Sequence, residues 1–489
     1  MVTYQDLLAV PQNEQDRAEF VKKVIGDHKS SKLYLTAQIA DEYDRCKNRT
    51  TMQYQKLITD LSGRQHVDTT ATVHRTCSNY FNIFMTQLSQ YLLANGVKWA
   101  KNADEKLGAN FDTKLQQAGR SALVGGVSFG FWNYNHLETF SVLEYAPLYD
   151  EENGALAAGV RFWQIDENRP LRATLYELDG LTNYLWSKNK PEDKWQPIGN
   201  DTYILPKQPY KVYIRESEAD GAAIYAGENY PAFPFVPLWG NPYHQSEIEA
   251  LREKIDAYDF IANGWLEDLD AAQLYWIIKG AAGMDDPDLL QFLDRLRTVK
   301  AAAPADDQEV TPVTVNIPVE ARNALLDRLE KQLYRDAMVL DPENIASGNA
   351  TATQIRASYE PQNVKTDQFE YCVVEFLQGI LKIVGIEDEP TFTRSTIVNT
   401  QEEVKTVLSA AGYLDSEYVT TKIMTLLGDG DKVPDNPKPT AEQIYQMLGA
   451  GLMRADEARS LLMNEDIETA RAALPGMEDV TTEGQGETE

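Results

Sequence analysis

The residue types in this chain that could support catalysis lack the context that catalytic motifs require. Residues 125–130 read GGVSFG, and a glycine-rich turn of this kind can bind phosphate. The stretch has neither the Lys-Ser or Lys-Thr pair of a nucleotide-binding loop nor a strand-loop-helix context, so we interpret it as a bend that enters a strand. Kinase and β-lactamase signatures are also absent from the sequence. These patterns do not indicate an enzyme.

The potential metal ligands are equally scattered along the sequence. The five histidines include no HxxxH pair, and residues 428–431 (GDGD) lack the regular spacing and the terminal glutamate of a calcium-binding EF-hand. We expect a linker at GDGD. Cys46, Cys77 and Cys372 form no CxxC pair, which favours reduced thiols. The sequence therefore predicts no metal ion and no cofactor.

The charge of the chain restricts its partners. The 489 residues include 46 basic and 75 acidic side chains, which gives a net charge of −29. Such a surface repels phosphate and anionic lipid, so tight nonspecific binding to nucleic acid is not expected, although passing contact with a duplex is compatible with it. No apolar signal core and no run of 18 apolar residues occur. We expect a soluble protein without a membrane span, made inside the cell.

Three long helical patterns dominate the second half of the chain. In the first, Asn241–Gly280, apolar residues recur at steps of three and four, and Ser246 is a candidate N-cap. A second helix is predicted over Val319–Leu340 and a third over Ala352–Val384. The opposite face of the first helix is rich in charge: Glu249, Arg252, Glu253, Asp256, Asp259, Glu267, Asp268 and Asp270. A solvated helix face is the ordinary explanation of such a pattern.

The remaining segments predict an α+β protein that is mostly helical. Residues 1–120 show helical patterns, including a strong one over Cys77–Asn95. Residues 125–238 alternate aromatic and β-branched stretches with turn signals, which predicts a sheet built from hairpins, and Tyr230–Pro237 is too rich in proline for a strand interior. A weak repeat relates residues 404–424 to residues 444–463, each expected to contain two short helices.

Three segments in this order resemble the portal protein of tailed double-stranded-DNA bacteriophages, in the branch typified by siphoviruses of Gram-positive hosts. The first is VPLWGNPYHQSEIEALREKIDAYDFIANGW, although its Trp265 stands where the family usually has a small or polar residue. The second combines GVSFGFWNYN with LEYAPLYDEENGALAAGVRFW, and the third is SGNATATQI at the start of the third long helix. The resemblance covers Arg75 to Ile423, and its specificity lies in the order and spacing of the segments.

The resemblance implies a ring of identical subunits, usually twelve, around a DNA channel at one capsid vertex. Such a subunit has a wing, a stem, a clip and a crown. The implied assignments are wing at 1–240 and 352–439, with its β-rich part at 125–240, stem helices at 241–280 and 319–340, clip at 281–318, tunnel loop at 341–351, crown at 440–474 and a disordered acidic tail at 475–489. The resemblance also implies that the ring assembles in the host cytoplasm and becomes part of the virion.

The resemblance also implies sites and partners. The residues implied to line the channel are Asp341, Glu343, Asn344, Ser347, Gly348, Asn349 and Thr351 in the tunnel loop and Glu249, Glu253, Asp256, Asp259, Glu267 and Asp270 in the stem. The clip residues implied to dock partners are Asp285, Asp286, Asp288, Arg295, Arg297 and Lys300. The implied partners are further copies of the chain, double-stranded DNA that passes without sequence-specific binding, the terminase large subunit, a head-completion or adaptor protein, and the major capsid and scaffolding proteins.

Two other classes of protein remain open at this point. One is a soluble acidic α/β enzyme with a helical appendage, which would be a monomer to tetramer in solution. The other is a capsid-associated structural protein that is not the portal. Ring-shaped particles with a central hole would distinguish the portal from both.

Overall fold

In the computed structural model the chain forms two compact units, Met1–Ile397 and Val398–Glu489. The residues that the structure describes are 2–11, 13–59, 63–68, 73–216, 223–271, 275–279, 309–313, 319–343, 352–395, 407–409, 416–427 and 455–463. In these residues the first unit combines helices and antiparallel sheets, and the second unit is helical. The predicted fold class, α+β and mostly helical, is confirmed.

The described helices include the long ones that the apolar periodicity predicts. They are α1 (Tyr4–Ala9), α2 (Glu14–Lys29), α3 (Lys32–Asp44), α4 (Arg49–Gln53), α5 (Tyr80–Leu93), α6 (Asp104–Leu107), α7 (Phe111–Gly125), α8 (Ile248–Ala271), α9 (Val319–Ala337), α10 (Ala352–Val384), α11 (Ser416–Leu427) and α12 (Ala455–Met463). Helix α10 has the predicted bounds. Helices α11 and α12 match the second helix of each repeat, and residues 407–409 in the first half of the repeat are also helical. The other residues of the repeat and the tail at 475–489 lie outside the described residues.

The described strands pair in antiparallel fashion. They are β1 (Leu57–Thr59), β2 (Gln65–Val67), β3 (Val97–Trp99), β4 (Val127–Asn133), β5 (His136–Ser141), β6 (Tyr145–Tyr149), β7 (Leu156–Trp163), β8 (Leu171–Glu177), β9 (Gly180–Trp186), β10 (Gln196–Pro197), β11 (Thr202–Gln208), β12 (Lys211–Glu216), β13 (Ala223–Glu228), β14 (Phe235–Trp239), β15 (Tyr275–Lys279), β16 (Glu309–Val313) and β17 (Pro390–Phe392). One sheet has the order β10-β11-β9-β8-β7-β6 and another the order β14-β4-β5; β1-β2, β12-β13, β15-β16 and β17-β3 form pairs.

The largest buried cluster lies between helices α5, α7, α8, α9 and α10. Phe84 and Leu92 of α5, Leu115 of α7 and Phe376 of α10 are buried in it. The third long helix therefore packs into the core. Gly130 on β4 allows its close approach, because a Cβ atom built there would lie 2.4 Å from Cζ of Phe376.

Two further clusters connect the sheets to the N-terminal helices. Helices α1 and α2 cover one face of the six-stranded sheet, where Val21 and Val24 lie with Val160 and Leu175. Aromatic residues of the three-stranded sheet form another cluster, in which the rings of Phe131 and Phe235 stack at 4.7 Å. The sheets and the N-terminal helices thus form one compact body with the helical core.

The first long helix is shorter than the sequence predicts. Helix α8 ends at Ala271, and Tyr275–Lys279 forms a strand that pairs with Glu309–Val313. The prediction of helix up to Gly280 is therefore wrong in this segment. The run Tyr-Trp-Ile-Ile is aromatic and β-branched, so it favours a strand as soon as a partner strand is present. The β-like stretch predicted from Val310 supplies that partner.

A second correction concerns the proline-rich connector at Tyr230–Pro237. Its last residues belong to strand β14, which pairs with β4 and places Pro237 opposite Phe129. Because β14 is the edge strand of its sheet, the missing N–H of proline can face away from the ladder. Similarly, the second long helix ends at Ala337 rather than Leu340, since Met338 adopts a left-handed conformation with φ of 54°.

Candidate functional site

Helices α8 and α9 form an antiparallel hairpin, which we take as the candidate functional element. Lys254 Nζ lies 2.6 Å from Asp336, and Arg322 binds Asp268. The two ion pairs are fourteen residues apart on each helix, from 254 to 268 and from 336 to 322, which fixes the antiparallel register. Beyond this hairpin the chain continues into the β15-β16 pair, whose strands flank residues 280–308.

The start of α8 is fixed by a buried polar turn. Ser246, the predicted capping residue, accepts a hydrogen bond from the backbone N–H of Ile248 at 3.2 Å and donates one to the carbonyl oxygen of Val124 at 2.5 Å. Next to it, Glu247 is only 7% exposed and forms an ion pair with Lys365 of α10 at 2.5 Å. These contacts connect the hairpin to both α7 and α10.

Farther along α8, Asp259 lies at the centre of a buried hydrogen-bond network. Its carboxylate accepts from Asn48 Nδ2 at 2.5 Å, Thr51 Oγ1 at 3.1 Å and the Ser78 backbone N–H at 2.9 Å. The residue is 1% exposed, and this burial raises the pKa of Asp259, although the donors oppose the effect. The chain itself covers this carboxylate, so the surroundings of Asp259 do not favour its predicted role in lining a channel.

Neighbouring residues on the same helix face continue this polar contact. Asp256 accepts hydrogen bonds from Tyr43 and from Thr50 Oγ1, the latter at 2.8 Å. Burial, followed by the bond to Asp256, raises the pKa of Tyr43 to about 12. Asn263 exchanges two hydrogen bonds with the backbone of Thr76, at 2.8 and 2.9 Å.

Asp256, Asp259, Asn263 and Glu267 form the face of α8 that contacts the N-terminal segment, here called the docking face. In it, the Glu267 carboxylate lies 3.5 Å from Lys56 Nζ. The side chains of Asp256 and Glu267 retain 17% and 10% exposure. Both acids therefore act mainly in holding α8 against residues 48–56 and 76–78. Because both side chains are largely covered, their surroundings do not favour the predicted role of lining an open channel.

The other predicted stem acids are in different surroundings. Glu249 lies 3.2 Å from the exposed Lys32, and Glu253 is exposed without a carboxylate-to-cation pair among the described residues. Asp270 belongs to α8, but its side chain lies outside the described part of the structure. The structure thus separates the acids that anchor the helix from those that face solvent.

Most of the predicted loop and clip residues cannot be placed. In the loop, Asp341 accepts a hydrogen bond from the backbone N–H of Glu343 at 3.0 Å. The residues that lie outside the described ranges are Asn344, Ser347, Gly348, Asn349 and Thr351 of the loop and Asp285, Asp286, Asp288, Arg295, Arg297 and Lys300 of the clip. These assignments stay predictions.

A cleft of about 210 Å³ opens at the docking face between α8, α9 and the N-terminal segment. The residues that line it are Thr50, Thr51, Tyr54, His74, Asp256, Phe260, Asn263, Gly264, Glu267, Asp268 and Arg322. Its carboxylates are bound by hydroxyl groups and cations of the same chain, so they are not arranged as a general acid and base. Among the described residues, no group of three or more potential ligands has the arrangement of a metal site.

One sequence pattern that resembles catalytic spacing is structural. Residues 126–130, GVSFG, fit the GxSxG spacing of a nucleophile elbow. Ser128, however, lies inside strand β4, is fully buried, and its hydroxyl donates to the carbonyl oxygen of Phe140 at 3.3 Å. It has no exposed position at a turn, so it does not form such an elbow.

Sequence reasoning missed a basic stripe on α9. Arg328, Lys331 and Arg335 recur at steps of three and four and are all exposed. Their spacing alone could have shown that they share one helix face. Separately, none of the helices in the described ranges has an apolar run long enough to cross a bilayer.

Comparisons with known proteins give a family match over most of the chain. The family described as "Phage portal protein, SPP1 Gp6-like" matches residues 32–426. A portal protein of Bacillus phage SPP1 is 22% identical over 504 aligned residues, which cover 93% of this chain and 92% of that protein. A portal protein of Clostridium phage phiCD119 is 25% identical over 197 residues, and the match spans 38% of this chain and 44% of that relative.

Solved structures give weaker similarities. The neck of an empty GTA particle, computed with C6 symmetry, contains a chain of 11% identity with a TM-score of 0.40, covering 72% of this chain and 90% of that one. The virion of a native gene transfer agent particle contains a chain of 12% identity with a TM-score of 0.39, covering 71% and 89%. Since the family match extends over most of the 489 residues, the chain belongs to the SPP1 Gp6-like family of phage portal proteins.

Proposed function

We propose that copies of this chain close into a ring at one capsid vertex and that double-stranded DNA enters and leaves the particle through its centre. The proposed role is structural rather than enzymatic. The observation that supports it most directly is the α8-α9 hairpin, an antiparallel rod fixed at its base by buried polar contacts and continued by the β15-β16 pair. A rod of this kind suits the wall of a tube built from repeated subunits.

The parts of the chain then receive the following roles. Residues 1–240 and 352–439 form the wing, and α8 with α9 forms the stem. The clip occupies 281–318, and because β15 pairs with β16, we include Tyr275–Lys279 in its base. Residues 341–351 form the tunnel loop and residues 440–474 the crown.

The wall of the channel follows from the charges that remain exposed. Glu249 and Glu253 of α8 face solvent, and Asp341 and Glu343 lie at the start of the loop. Carboxylates repel the phosphates of a duplex, and salt screens this repulsion beyond about 10 Å, so DNA can pass without being held. Asp259 has no part in this wall.

The proposed partners divide between the two ends of the ring. The clip, with Asp285, Asp286, Asp288, Arg295, Arg297 and Lys300, is the surface that we assign to the terminase large subunit and later to a head-completion or adaptor protein. The wing is assigned to the major capsid and scaffolding proteins. The finished ring is part of the virion, after assembly in the host cytoplasm.

The mass and shape of the purified protein test the proposal. Twelve chains of 55.1 kDa would give a particle of roughly 0.66 MDa, and other ring sizes give proportionate masses. We expect light scattering after size exclusion to show such a mass, and negative-stain images to show rings with a central hole about as wide as a duplex. A particle that stays a monomer to tetramer at all salt and protein concentrations would contradict the ring and favour a soluble enzyme.

A further inference from the structure

Helix α9 carries a row of exposed cations. Arg328, Lys331 and Arg335 are exposed and lie on the face opposite the buried residues Leu333 and Ala337. None of the three cations pairs with a carboxylate among the described residues, although the chain has a net charge of −29. Because these cations have no carboxylate partner in the described part of so acidic a protein, we infer that an external partner supplies the carboxylates.

Helix α8 carries a complementary acidic face. Glu249 and Glu253 are exposed there, and of the two only Glu249 is paired with a cation among the described residues, the exposed Lys32. Phe260 lies beside them and is 61% exposed, with its ring at 5.7 Å from that of Tyr54. An exposed aromatic ring beside carboxylates is favourable for a guanidinium group.

Within one chain these two faces do not pair, because each is turned away from the contact between α8 and α9. The contact uses Lys254 and Asp268 on α8, and helical periodicity places Glu253 and Phe260 about 60–120° around the helix from them. Both faces are also directed away from the buried core. Two hairpins that stand side by side would therefore place the basic stripe of one next to the acidic face of the other.

The positions of the two faces along the hairpin axis are also compatible with docking between copies. Counting from the Lys254–Asp336 and Asp268–Arg322 pairs, Arg335 lies at the height of Ile255 and Arg328 at that of Ala262. Two copies related by rotation about an axis parallel to the hairpin meet at equal heights. Arg335 then lies next to Glu253, and Arg328 lies next to Phe260.

We propose that the basic stripe of α9, Arg328, Lys331 and Arg335, docks on the acidic face of α8, Glu249 and Glu253 beside Phe260, in the adjacent copy of this chain. The proposal rests on the ring assembly described above and names the surfaces that close it. A duplex is the less favourable occupant of the stripe, since the acidic face would repel its phosphates. Pairing between copies would also neutralise part of the acidic wall of the channel.

Charge reversal tests the proposal in the full chain. In the first variant, R328E, K331E and R335E replace the stripe, and in the second, E249K and E253K reverse the acidic face. We expect each variant to lose at least ten-fold in assembly affinity, measured by sedimentation velocity over a concentration series. A third variant that carries all five substitutions in one chain restores complementary charges and is expected to assemble again.

A matched control has the same change in net charge elsewhere. Lys188, Lys190 and Lys194 are exposed on a loop of the six-stranded sheet, and K188E, K190E and K194E together should assemble like the wild type. Circular dichroism checks that each variant is folded. If the first variant still assembles with wild-type affinity, the docking proposal is wrong. It is also wrong if the variant with all five substitutions is folded but fails to assemble.

The outcome also separates this proposal from the proposed function. Failure of the wild-type chain to form rings contradicts the function, whereas rings that tolerate the reversed stripe contradict only the docking surfaces. Loss of binding to a short duplex in the first variant, with assembly unchanged, would assign the stripe to DNA and overturn the pairing between copies.

Discussion

Replacing Asp259 removes the centre of the polar contact between α8 and the N-terminal segment. In Asp259→Ala, the Ser78 backbone N–H and Thr51 Oγ1 lose an acceptor inside a buried site. Asn48 Nδ2 loses one acceptor but retains the Ser78 carbonyl oxygen at 3.2 Å. The substitution therefore leaves two donors without a partner and weakens a third.

The size of the effect follows from the number of unpaired donors. Each buried donor without a partner costs about 1–3 kcal/mol, and relief from burying a charge offsets part of the sum, so we expect a loss of about 3 kcal/mol. Asp259→Asn keeps one good acceptor and places an amide group against other donors. We expect it to cost about 1–2 kcal/mol.

Urea unfolding of the purified chain, followed by tryptophan fluorescence, measures both free-energy differences. Glu375→Ala is the matched control, because Glu375 is an exposed acid on the long helix α10 and should change stability by less than about 0.5 kcal/mol. Amide hydrogen exchange locates the effect, which should be strongest at Ser78 and along the second half of α8. If Asp259→Ala behaves like the control, the carboxylate does not hold this contact and the reasoning fails.

The pH dependence of the same pair of proteins gives an independent check. Since burial raises the pKa of Asp259 above its ordinary value of 3.8, the folded chain binds the proton more tightly than the unfolded chain. The contribution of this group to stability is therefore full below pH 3.8 and decreases as the pH rises through the folded pKa. The stability of the wild type relative to Asp259→Asn should increase from pH 7 towards pH 4, and a decrease would mean that the hydrogen bonds outweigh burial.

Three further changes test other parts of the fold. Gly130→Ala should destabilise by about 1–3 kcal/mol in thermal or urea unfolding, because the new Cβ would lie 2.4 Å from Phe376, and an unchanged stability would contradict the close packing of α10. Lys365→Met should lower the free energy of unfolding by about 3 kcal/mol, because it leaves Glu247 buried without its cation. Adding Glu247→Leu should recover part of this loss, and no recovery would argue against the ion pair. Burial raises the pKa of Cys77, so its alkylation should reach half of its maximal rate at a higher pH than that of an unstructured peptide thiol, and an equal midpoint would refute this.

Periodicity predicted the helices well wherever one face is apolar. The stripe of α10 is regular enough that its predicted and observed bounds agree, even though Pro361 lies inside the helix. The end of α8 could not be found this way, because Tyr275–Lys279 is apolar at positions that fit a helix and a strand equally well. Its partner strand begins 30 residues later, at Glu309, and a pairing over that distance has no local signal.

The candidate site shows a different limit of sequence reasoning. Glu253 and Asp259 look alike in sequence, since both are acids in an amphipathic helix. Their surroundings differ because Asn48, Thr51 and Ser78 are brought to Asp259 from about 200 residues away along the chain. Helical periodicity gives the angle of a side chain around its own helix, but it does not reveal which distant segment covers that angle.

The change from apolar to polar contacts along α8 determines how this helix is rotated about its own axis. The early buried residues are Ile248, Leu251 and Ile255, whereas the next buried ones are Asp259 and Asn263. Apolar contacts tolerate some rotation of a helix about its axis, but hydrogen bonds weaken steeply when their angles change. The polar pair therefore fixes the rotation of α8 at the end where the core no longer supports it. That rotation determines the direction in which Glu253 and Phe260 point. The buried hydrogen bonds of Asp259 and Asn263 therefore orient the face of α8 that would contact the adjacent subunit, although they do not contact it themselves.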